Sequence, residues 1–370
     1  MLTAALARPR HLARRELRRA AEWLANGVGW LVRDPSPLIG RTPHRIIHRD
    51  GKVTVRRYLG GSKRRRYPIP VLLIPPLMVK PFIFDLFPGR SLVEFLLARG
   101  FRVYLVDFGE PDAADALVTL DDYVLRWVPA ACTAVKADAR AEEISLLGYC
   151  MGATFALAHT AANRDRSVRN IVDIAAPVDM DALGAFAWVL KMIAMEAEVV
   201  VRGIGNVPGG LASLAFQALT PTKTVVRYVD LLMNLWNRQY VKGFVAMNAW
   251  VRQFIDYPQR AFLQFSRELV RKNKFVKGRM RFGRKLADLA RIRASLLVIA
   301  GKTDRVAPIR PVRAVLAAVG SVDKTFVVAP GGHMGVFAGE SAPEHVWSVV
   351  ADWLGPRSRP RRRPAERARA

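Results

Sequence analysis

The sequence predicts an α/β protein, with a mostly parallel sheet, helices on both faces and a helical insertion. Of its 370 residues, 51% are hydrophobic, which is enough to fill a large core. From residue 67 onward, short apolar runs alternate with helix-length segments, the pattern of parallel strands joined by helices. Between about 180 and 290 this alternation stops, and long apolar and aromatic segments replace it. We therefore expect five parts: a basic N-terminal region (1–66), the first part of the core (67–180), a helical cap (181–290), the second part of the core (291–355) and a disordered basic tail (356–370).

Six buried strands are predicted from short apolar runs bounded by glycine, proline or polar residues. They are 71–74, 101–108, 144–149, 168–176, 295–300 and 324–329. The predicted helices are 91–99, 120–136, 151–162 and 345–354. Pro129 lies inside the second helix, where we expect a kink because proline has no N–H for the helical hydrogen bond.

The formal net charge of +27 is concentrated in a few segments of the chain. They are 1–34, 56–66, 267–293 and 356–370. One interpretation is that these segments are solvated surfaces and disordered arms. The other is attraction to a polyanion, such as a phosphate-bearing substrate or an anionic surface. No motif that reads a specific nucleic acid is present, so none is expected as a partner.

The number and spacing of the cysteine and histidine residues limit which cellular compartment and which cofactors we expect. The two cysteines, Cys132 and Cys150, exclude a disulfide framework and a four-cysteine zinc site, and they indicate a reducing compartment. The six histidines lack metal-ligand spacing, so we expect no metal and no other cofactor. The N-terminus has no apolar core of a signal peptide, and charged residues such as Lys191 interrupt the most apolar stretch, 182–204. These features predict a cytoplasmic protein.

The pentapeptide Gly148-Tyr149-Cys150-Met151-Gly152 stands where a predicted strand turns directly into a predicted helix. It has the form of the nucleophile elbow G-x-S-x-G, with cysteine in place of serine. Glycine is needed on both sides because the tight turn leaves no space for a Cβ. The alternative is a buried structural cysteine beside packing glycines. Cys150 is the predicted nucleophile of an α/β-hydrolase fold.

A cysteine nucleophile needs a base and an acid that orients the base. In this fold they follow the nucleophile in the order acid, histidine, each in a loop after a later strand. Asp304 follows strand 295–300, and His333 follows strand 324–329 between glycines. The alternative acid is Asp179, after strand 168–176. His159 and Cys132 are interpreted as packing or surface residues of helices.

The oxyanion formed in acyl transfer needs backbone N–H donors. The first predicted donor is Met151, directly after the nucleophile. The second should come from the loop after strand 71–74. Pro75 and Pro76 have no N–H, so Leu77 or Met78 remains, and we favour Met78.

Cysteine at the elbow favours thioester substrates. A thiolate that attacks an oxoester must expel a poor alkoxide, whereas on a thioester it exchanges one thiolate for another. This points to acyl-CoA as substrate. If water is excluded, a hydroxyl group can take the acyl group; if water enters, the enzyme is a thioesterase. The apolar cap is the expected barrier to water.

The chain also resembles the polyhydroxyalkanoate synthases, over about 67–355, and more closely the short catalytic subunits that work with a companion protein. The matching motifs are Pro75-Pro76-Leu77-Met78 with Lys80-Pro81-Phe82, Pro88-Gly89-Arg90-Ser91-Leu92, Val103-Tyr104-Leu105-Val106-Asp107-Phe108-Gly109, Leu120-Asp121-Asp122-Tyr123, the cysteine elbow, Pro177-Val178-Asp179, Gly205-Asn206-Val207-Pro208-Gly209, Tyr228-Val229-Asp230-Leu231 and the loop around His333.

The resemblance implies an acyltransferase that polymerises 3-hydroxyacyl-CoA and releases CoA. Cys150 would hold the growing polyester as a thioester, His333 would activate it, and Asp304 would support His333 or help to activate the incoming 3-hydroxyl. A companion synthase subunit, the surface of polymer granules and a homo-oligomer are the implied partners. Two positions depart from the family pattern: Ala153 stands where the elbow usually continues with glycine, and Arg305 stands where histidine often follows the acid.

Overall fold

The computed structural model describes residues 18–26, 39–61, 67–218 and 228–359. Its core is one eight-stranded sheet. The strands are β1 His44–Asp50, β2 Val53–Tyr58, β3 Val71–Ile74, β4 Val103–Asp107, β5 Ile144–Tyr149, β6 Val168–Ile174, β7 Ser295–Gly301 and β8 Lys324–Ala329. Their order across the sheet is β1-β2-β4-β3-β5-β6-β7-β8. Strands β3 to β8 are parallel, while β2 pairs antiparallel with both β1 and β4.

Helices connect the strands and cover the sheet. In the part of the chain that the structure describes, they include α1 Leu92–Ala98, α2 Val128–Ala139, α3 Met151–Ala162, α4 Ala185–Ile204, α5 Gly209–Ala218, α6 Arg238–Arg252, α7 Gln259–Gln264, α8 Ile309–Arg313, α9 Val315–Ala318, α10 His333–Ala338 and α11 Ser348–Arg357. Every residue of β3 and β5 is buried, as expected for central strands whose two faces are covered. The predicted fold class is confirmed.

The predicted strands are confirmed, and their ends differ by a few residues from the expected ones. The helix expected at 120–136 is built differently: a π-helical stretch, Asp122–Trp127, runs directly into α2. Pro129 is the second residue of α2, which follows this stretch directly, so the irregularity of the helix precedes the proline.

Two strands, β1 and β2, lie inside the stretch 1–66 that the sequence indicated only as basic. Five of the seven β1 residues are polar or charged and most are exposed, so no apolar run marks the strand. Arg56 pairs with Asp107, and Arg57 pairs with Asp138 at 2.9 Å. These bases hold the antiparallel edge of the sheet to its neighbours. Residues 1–17, 27–38 and 62–66 lie outside the described part of the chain.

The cap, residues 181–290, contains α4 to α7, a π-helical stretch Phe265–Arg271 and a two-stranded hairpin, Arg281–Phe282 with Lys285–Leu286. Many of its basic residues form ion pairs within the protein. These pairs include Arg271–Glu198, Lys272–Glu268, Lys274–Glu268 and Lys277–Asp181. Among the described residues, no helix is both long enough and apolar enough to cross a bilayer.

The ends of the expected parts also shift at the C-terminus. The basic tail expected from residue 356 begins inside α11, which ends at Arg357. The guanidinium of Arg357 forms an ion pair with Asp323 at 2.7 Å. Residues 360–370 lie outside the described part of the chain.

Candidate active site

Cys150 sits alone between β5 and α3 in a strained backbone conformation, with φ 52° and ψ −123°. Its N–H donates to the carbonyl oxygen of Ile174, 2.8 Å away, which fixes the turn against β6. A Cβ on Gly148 would lie 2.2 Å from the nitrogen of Ala153, and a Cβ on Gly152 would lie 2.0 Å from the oxygen of Ile74. Both contacts are closer than any real Cβ makes, so only glycine fits either position. Strain of this kind is typical of functional turns.

Asp304 is held by the loop that follows β7 and is 6% exposed. Its Oδ1 accepts hydrogen bonds from the N–H groups of Val306 and Ala307, at 2.9 and 2.8 Å. Its Oδ2 lies 2.8 Å from Nδ1 of His333, at the start of α10. Both carboxylate oxygens are therefore engaged, and the second one sets the orientation of the imidazole.

His333 is 9% exposed and makes side-chain hydrogen bonds with both Asp304 and Cys150. Burial opposes a charge on the ring, but the negative charge of a Cys150 thiolate and the bond to Asp304 outweigh it and raise the pKa of His333 to about 10. The structure thus brings Cys150, His333 and Asp304 together in one chain of hydrogen bonds. This arrangement favours a protonated imidazole beside the sulfur.

The alternative residues serve the fold. Asp179 accepts hydrogen bonds from the N–H of Asp181 at 3.0 Å and from Asn273 at 2.7 Å, so it caps a short 3₁₀-helix. His159 is 1% exposed and bonded to Asp165, at 3.1 Å. Cys132 is buried within α2, and burial raises the pKa of its thiol.

The two expected oxyanion donors lie in adjoining pieces of backbone. Met151 is the first residue of α3, where helical N–H groups have no partner within the helix. Met78 follows β3 with φ 67°, and its carbonyl oxygen accepts the N–H of Ile255 at 2.9 Å. The close approach of Gly152 to Ile74 and Pro75 places the loop after β3 against the first turn of α3. Their role as donors stays a prediction.

Among the described residues, no cluster of three or more His, Cys, Asp or Glu side chains is arranged to hold a metal ion.

A sequence profile described as "Alpha/beta hydrolase family" matches residues 71–346. Solved structures agree on the fold. A hydrolase from Pseudomonas aeruginosa superposes with a TM-score of 0.53 at 18% identity, covering 85% of this chain and 99% of that one. A soluble variant of the monoglyceride lipase of Saccharomyces cerevisiae gives a TM-score of 0.53 at 12% identity, covering 85% of this chain and 96% of that one.

Comparison with curated relatives identifies a narrower family within the α/β hydrolases. A protein of Allochromatium vinosum named poly(3-hydroxyalkanoate) polymerase subunit PhaC is 30% identical over 338 residues, covering 90% of this chain and 94% of the relative. The chain belongs to this family of polymerase subunits. A PhaC subunit of Haloferax mediterranei is 31% identical over 325 residues, but this chain spans only 65% of its length. The PhaC subunit of Synechocystis sp. is 29% identical over 326 residues, 86% of each chain.

Two departures from the pattern of this polymerase family lie beside the triad, the set of Cys150, His333 and Asp304. Ala153 is fully buried in the first turn of α3, which accommodates its methyl group. Arg305 is exposed next to Asp304. Since neither side chain stands between the three residues' hydrogen-bonding atoms, the triad keeps its connections.

One residue of the site had no specific signal in the sequence. The hydroxyl of Tyr149 donates to the carbonyl oxygen of His333 at 3.0 Å, and its ring stacks on Phe337 with centroids 4.4 Å apart. Burial raises the pKa of Tyr149, so it remains a donor. Tyr149 thereby holds the backbone that carries the imidazole of His333. Its position before Cys150 in the elbow was the only available hint.

Proposed function

We propose that this chain is the catalytic subunit of a polyhydroxyalkanoate synthase, an acyltransferase that polymerises 3-hydroxyacyl-CoA and releases CoA. The observation that carries the proposal is the hydrogen-bonded chain from Cys150 through His333 to Asp304 on an elbow with cysteine as nucleophile. Relatives named as polymerase subunits over most of both chains give the substrate class.

In the first step, the thiolate of Cys150 attacks the carbonyl carbon of the acyl-CoA thioester. A carbon–sulfur bond forms, and the carbonyl electrons move onto the oxygen, which the N–H groups of Met78 and Met151 stabilise. The intermediate collapses, the bond to CoA sulfur breaks, and CoA leaves with the proton of the His333 imidazolium. The acyl group is then a thioester on Cys150, and His333 is neutral.

In the second step, the 3-hydroxyl of another 3-hydroxyacyl-CoA attacks this thioester. His333 takes the hydroxyl proton, an ester bond forms, and the Cys150 thiolate leaves. The lengthened acyl-CoA is loaded onto Cys150 again in a new first step. Each cycle therefore forms one ester bond and releases one CoA, and the growing chain returns to the same sulfur.

Asp304 acts by positioning. Both of its oxygens are occupied, one by the imidazole and the other by two backbone N–H groups. It therefore fixes the ring of His333 and stabilises its charge, whereas the 3-hydroxyl is activated by His333 itself.

No metal or other cofactor enters these steps, since CoA is part of the substrate. The proposed setting is the cytoplasm, at the surface of polymer granules, with a companion subunit and a homo-oligomeric assembly. The face of α4 supports a role at an apolar surface. Its outward side chains include Trp188, 68% exposed, and Val199, 67% exposed. Apolar patches of this kind mark contact with proteins or lipid-like surfaces.

The test follows CoA release and insoluble polyester together, with purified protein and 3-hydroxybutyryl-CoA. We expect both products, and we expect both to be lost in Cys150→Ala. The matched control is Cys132→Ala, which removes the other thiol, from the buried face of α2, and keeps activity. CoA release with only free hydroxy acid would make the protein a thioesterase. If no product forms, longer acyl-CoA thioesters and a co-expressed companion subunit are added, and continued absence overturns the proposal.

A further inference from the structure

Tyr257 carries a buried hydroxyl group, and the packing of its ring does not explain why a polar group lies there. The residue is 2% exposed, and its hydroxyl oxygen has no hydrogen-bond partner among the residues that the structure describes. Folded proteins rarely leave a buried hydroxyl unpaired, because the group loses its bonds to water on burial. An orphaned group in a site is therefore a candidate for a bond to a ligand.

The backbone around Tyr257 is tied to the loop that carries the expected oxyanion donor. Ile255 donates its N–H to the carbonyl oxygen of Met78 at 2.9 Å, and Phe254 forms an antiparallel bridge with Val79. Tyr257 itself exchanges two backbone hydrogen bonds of 2.9 Å with Val207 in the cap. The phenol is thus fixed at the junction of the cap and the catalytic loop.

A small cavity lies beside this junction. Its volume is about 20 Å³, room for one water-sized group. The residues on either side of Tyr257 in the chain, Asp256 and Pro258, line it together with Met78 and Tyr123, whereas Tyr257 itself does not. The cavity therefore adjoins the segment that carries Tyr257 and the loop of Met78.

The charge state of the phenol is fixed by its surroundings. Burial raises the pKa of Tyr257 far above its usual value, and the negative charges of Tyr123 and Cys150, when ionised, raise it further. The group therefore keeps its proton at neutral pH and can both donate and accept a hydrogen bond.

We propose that the hydroxyl of Tyr257 hydrogen-bonds the 3-hydroxyl of the acyl group bound at Cys150 and so selects 3-hydroxyacyl substrates. This inference rests on the proposed function. The carbonyl oxygen of the bound acyl group is assigned to backbone N–H groups, and the 3-hydroxyl, two carbons further along, is the remaining polar group of a short 3-hydroxyacyl chain. Once the chain has grown, that position holds an ester oxygen, to which a phenol can still donate.

The experiment compares wild type and Tyr257→Phe in single-turnover CoA release from 3-hydroxybutyryl-CoA and from butyryl-CoA, which lacks the hydroxyl. In wild type we expect acylation by butyryl-CoA to be at least about ten-fold less efficient, because it leaves the phenol unpaired. In Tyr257→Phe we expect kcat/KM for 3-hydroxybutyryl-CoA to fall about ten-fold or more. Acylation by butyryl-CoA should stay within about two-fold of wild type or increase, since no partner is missing for it.

The matched control is Tyr104→Phe, which removes the hydroxyl of another buried tyrosine, on β4. That hydroxyl donates to Asp138 at 2.7 Å. Tyr104→Phe should leave the ratio of the two substrates unchanged. An equal loss on both substrates in Tyr257→Phe, or no loss on either, overturns the inference. If the variant does not fold, wild type decides: equal acylation by both thioesters overturns the inference, and discrimination supports it.

Failure of the proposed function has a different signature. It would appear as no Cys150-dependent CoA release from any acyl-CoA by wild type, or as release without polymer. A wild type that makes polymer, with a Tyr257→Phe variant that treats the two thioesters as wild type does, would remove only the inference on Tyr257.

Discussion

The catalytic edge of the sheet, formed by the loops after β7 and β8, and helix α4 of the cap differ in how much of their surface is buried and hydrogen-bonded. At the edge, the loops after β7 and β8 are joined to each other: Lys302 donates its N–H to Ala329 at 2.8 Å, and Thr303 donates to Gly331 at 3.0 Å. The two side chains that these loops present, Asp304 and His333, are buried and hydrogen-bonded. By contrast, α4 leaves a broad apolar face in contact with solvent.

Helix α4 is fixed by a small set of polar contacts. Glu198, 6% exposed, accepts hydrogen bonds from Ser266 at 2.9 Å and from Arg271 at 3.0 Å. Near the other end, Lys191 pairs with Asp181. These contacts orient the helix with its apolar residues outward. The difference teaches that the side chains at this edge of the sheet are fixed by buried hydrogen bonds, while α4 is fixed by a few polar contacts that leave its apolar residues exposed.

The largest expected effect comes from Asp304→Asn at the catalytic edge. We expect acylation to fall about a thousand-fold or more, because the imidazole loses the partner that orients and stabilises it. The bond and the charge of Asp304 help to raise the pKa of His333, so the variant must have a lower pKa there. The alkaline limb of the pH profile, where the imidazolium loses its proton, therefore moves to lower pH. Single-turnover CoA release between about pH 6 and 10 measures both effects.

Asp179→Asn is the matched control, since Asp179 caps a 3₁₀-helix and bonds Asn273. It should leave the alkaline limb in place. An unchanged limb in Asp304→Asn, or the same shift in both variants, would contradict the role assigned to Asp304.

Two glycine substitutions test the contrast in packing. Gly152→Ala introduces a Cβ 2.0 Å from the backbone oxygen of Ile74, which cannot move without breaking the sheet, and we expect a loss of about 3 kcal/mol or more in the free energy of unfolding. Gly203→Ala in the last turn of α4 meets nothing within 4 Å and should gain up to about 1 kcal/mol. Urea unfolding measures both. Similar losses in the two variants would mean that α4 is packed as tightly as the elbow.

The hydrogen-bonded arrangement of Cys150, His333 and Asp304 could be predicted from the sequence because each of the three follows a buried strand. An apolar run such as 144–149 or 295–301 marks a central strand, and the order of nucleophile, acid and histidine then fixes which loops meet. The requirement for glycine at 148 and 152 was also predictable, since it follows from the sharpness of one local turn.

The remaining features depend on contacts between distant parts of the chain. Strand β1 is an exposed edge strand, and its mostly polar and charged residues do not distinguish it from a basic arm. The bond from Tyr149 to the backbone of His333 joins residues 184 positions apart. That the hydroxyl of Tyr257 has no hydrogen-bond partner within the described part of the chain is visible only once its neighbours are placed. Periodicity and motifs carry no information about such contacts.

A smaller effect is expected from Asp173, a buried acid at the end of β6, one residue before the carbonyl that fixes Cys150. Burial raises its pKa to about 8, so the folded protein holds a proton that the unfolded chain has released above about pH 4. Stability from this group therefore falls as pH rises from about 4 to about 8 and then levels off. Asp173→Asn does not titrate, and its advantage over wild type in melting temperature should grow across that interval.

Asp165→Asn is a control of opposite sign. Although burial acts against it, hydrogen bonds from His159 and Ser167 lower the pKa of Asp165 well below its usual range. The contribution of this group is present above about pH 4 and is lost in acid, so the variant should be less stable than wild type at neutral pH. An advantage of Asp173→Asn that shrinks as pH rises would contradict the proposed state of Asp173.

The smallest effect on folding is expected on the outward face of α4. Replacing Trp188 and Val199 by glutamine should change the free energy of unfolding by no more than about 0.5 kcal/mol, because both side chains are largely exposed. The same double variant should bind preformed polyester granules several-fold less tightly, which sedimentation of the granules measures. The control is Val322→Gln, which replaces an apolar side chain that is 95% exposed and lies outside the cap. It should bind the granules as wild type does. Equal granule binding by wild type, the double variant and Val322→Gln would mean that the exposed face of α4 does not bind granules. The contrast between the catalytic edge and α4 would then be a difference in packing alone.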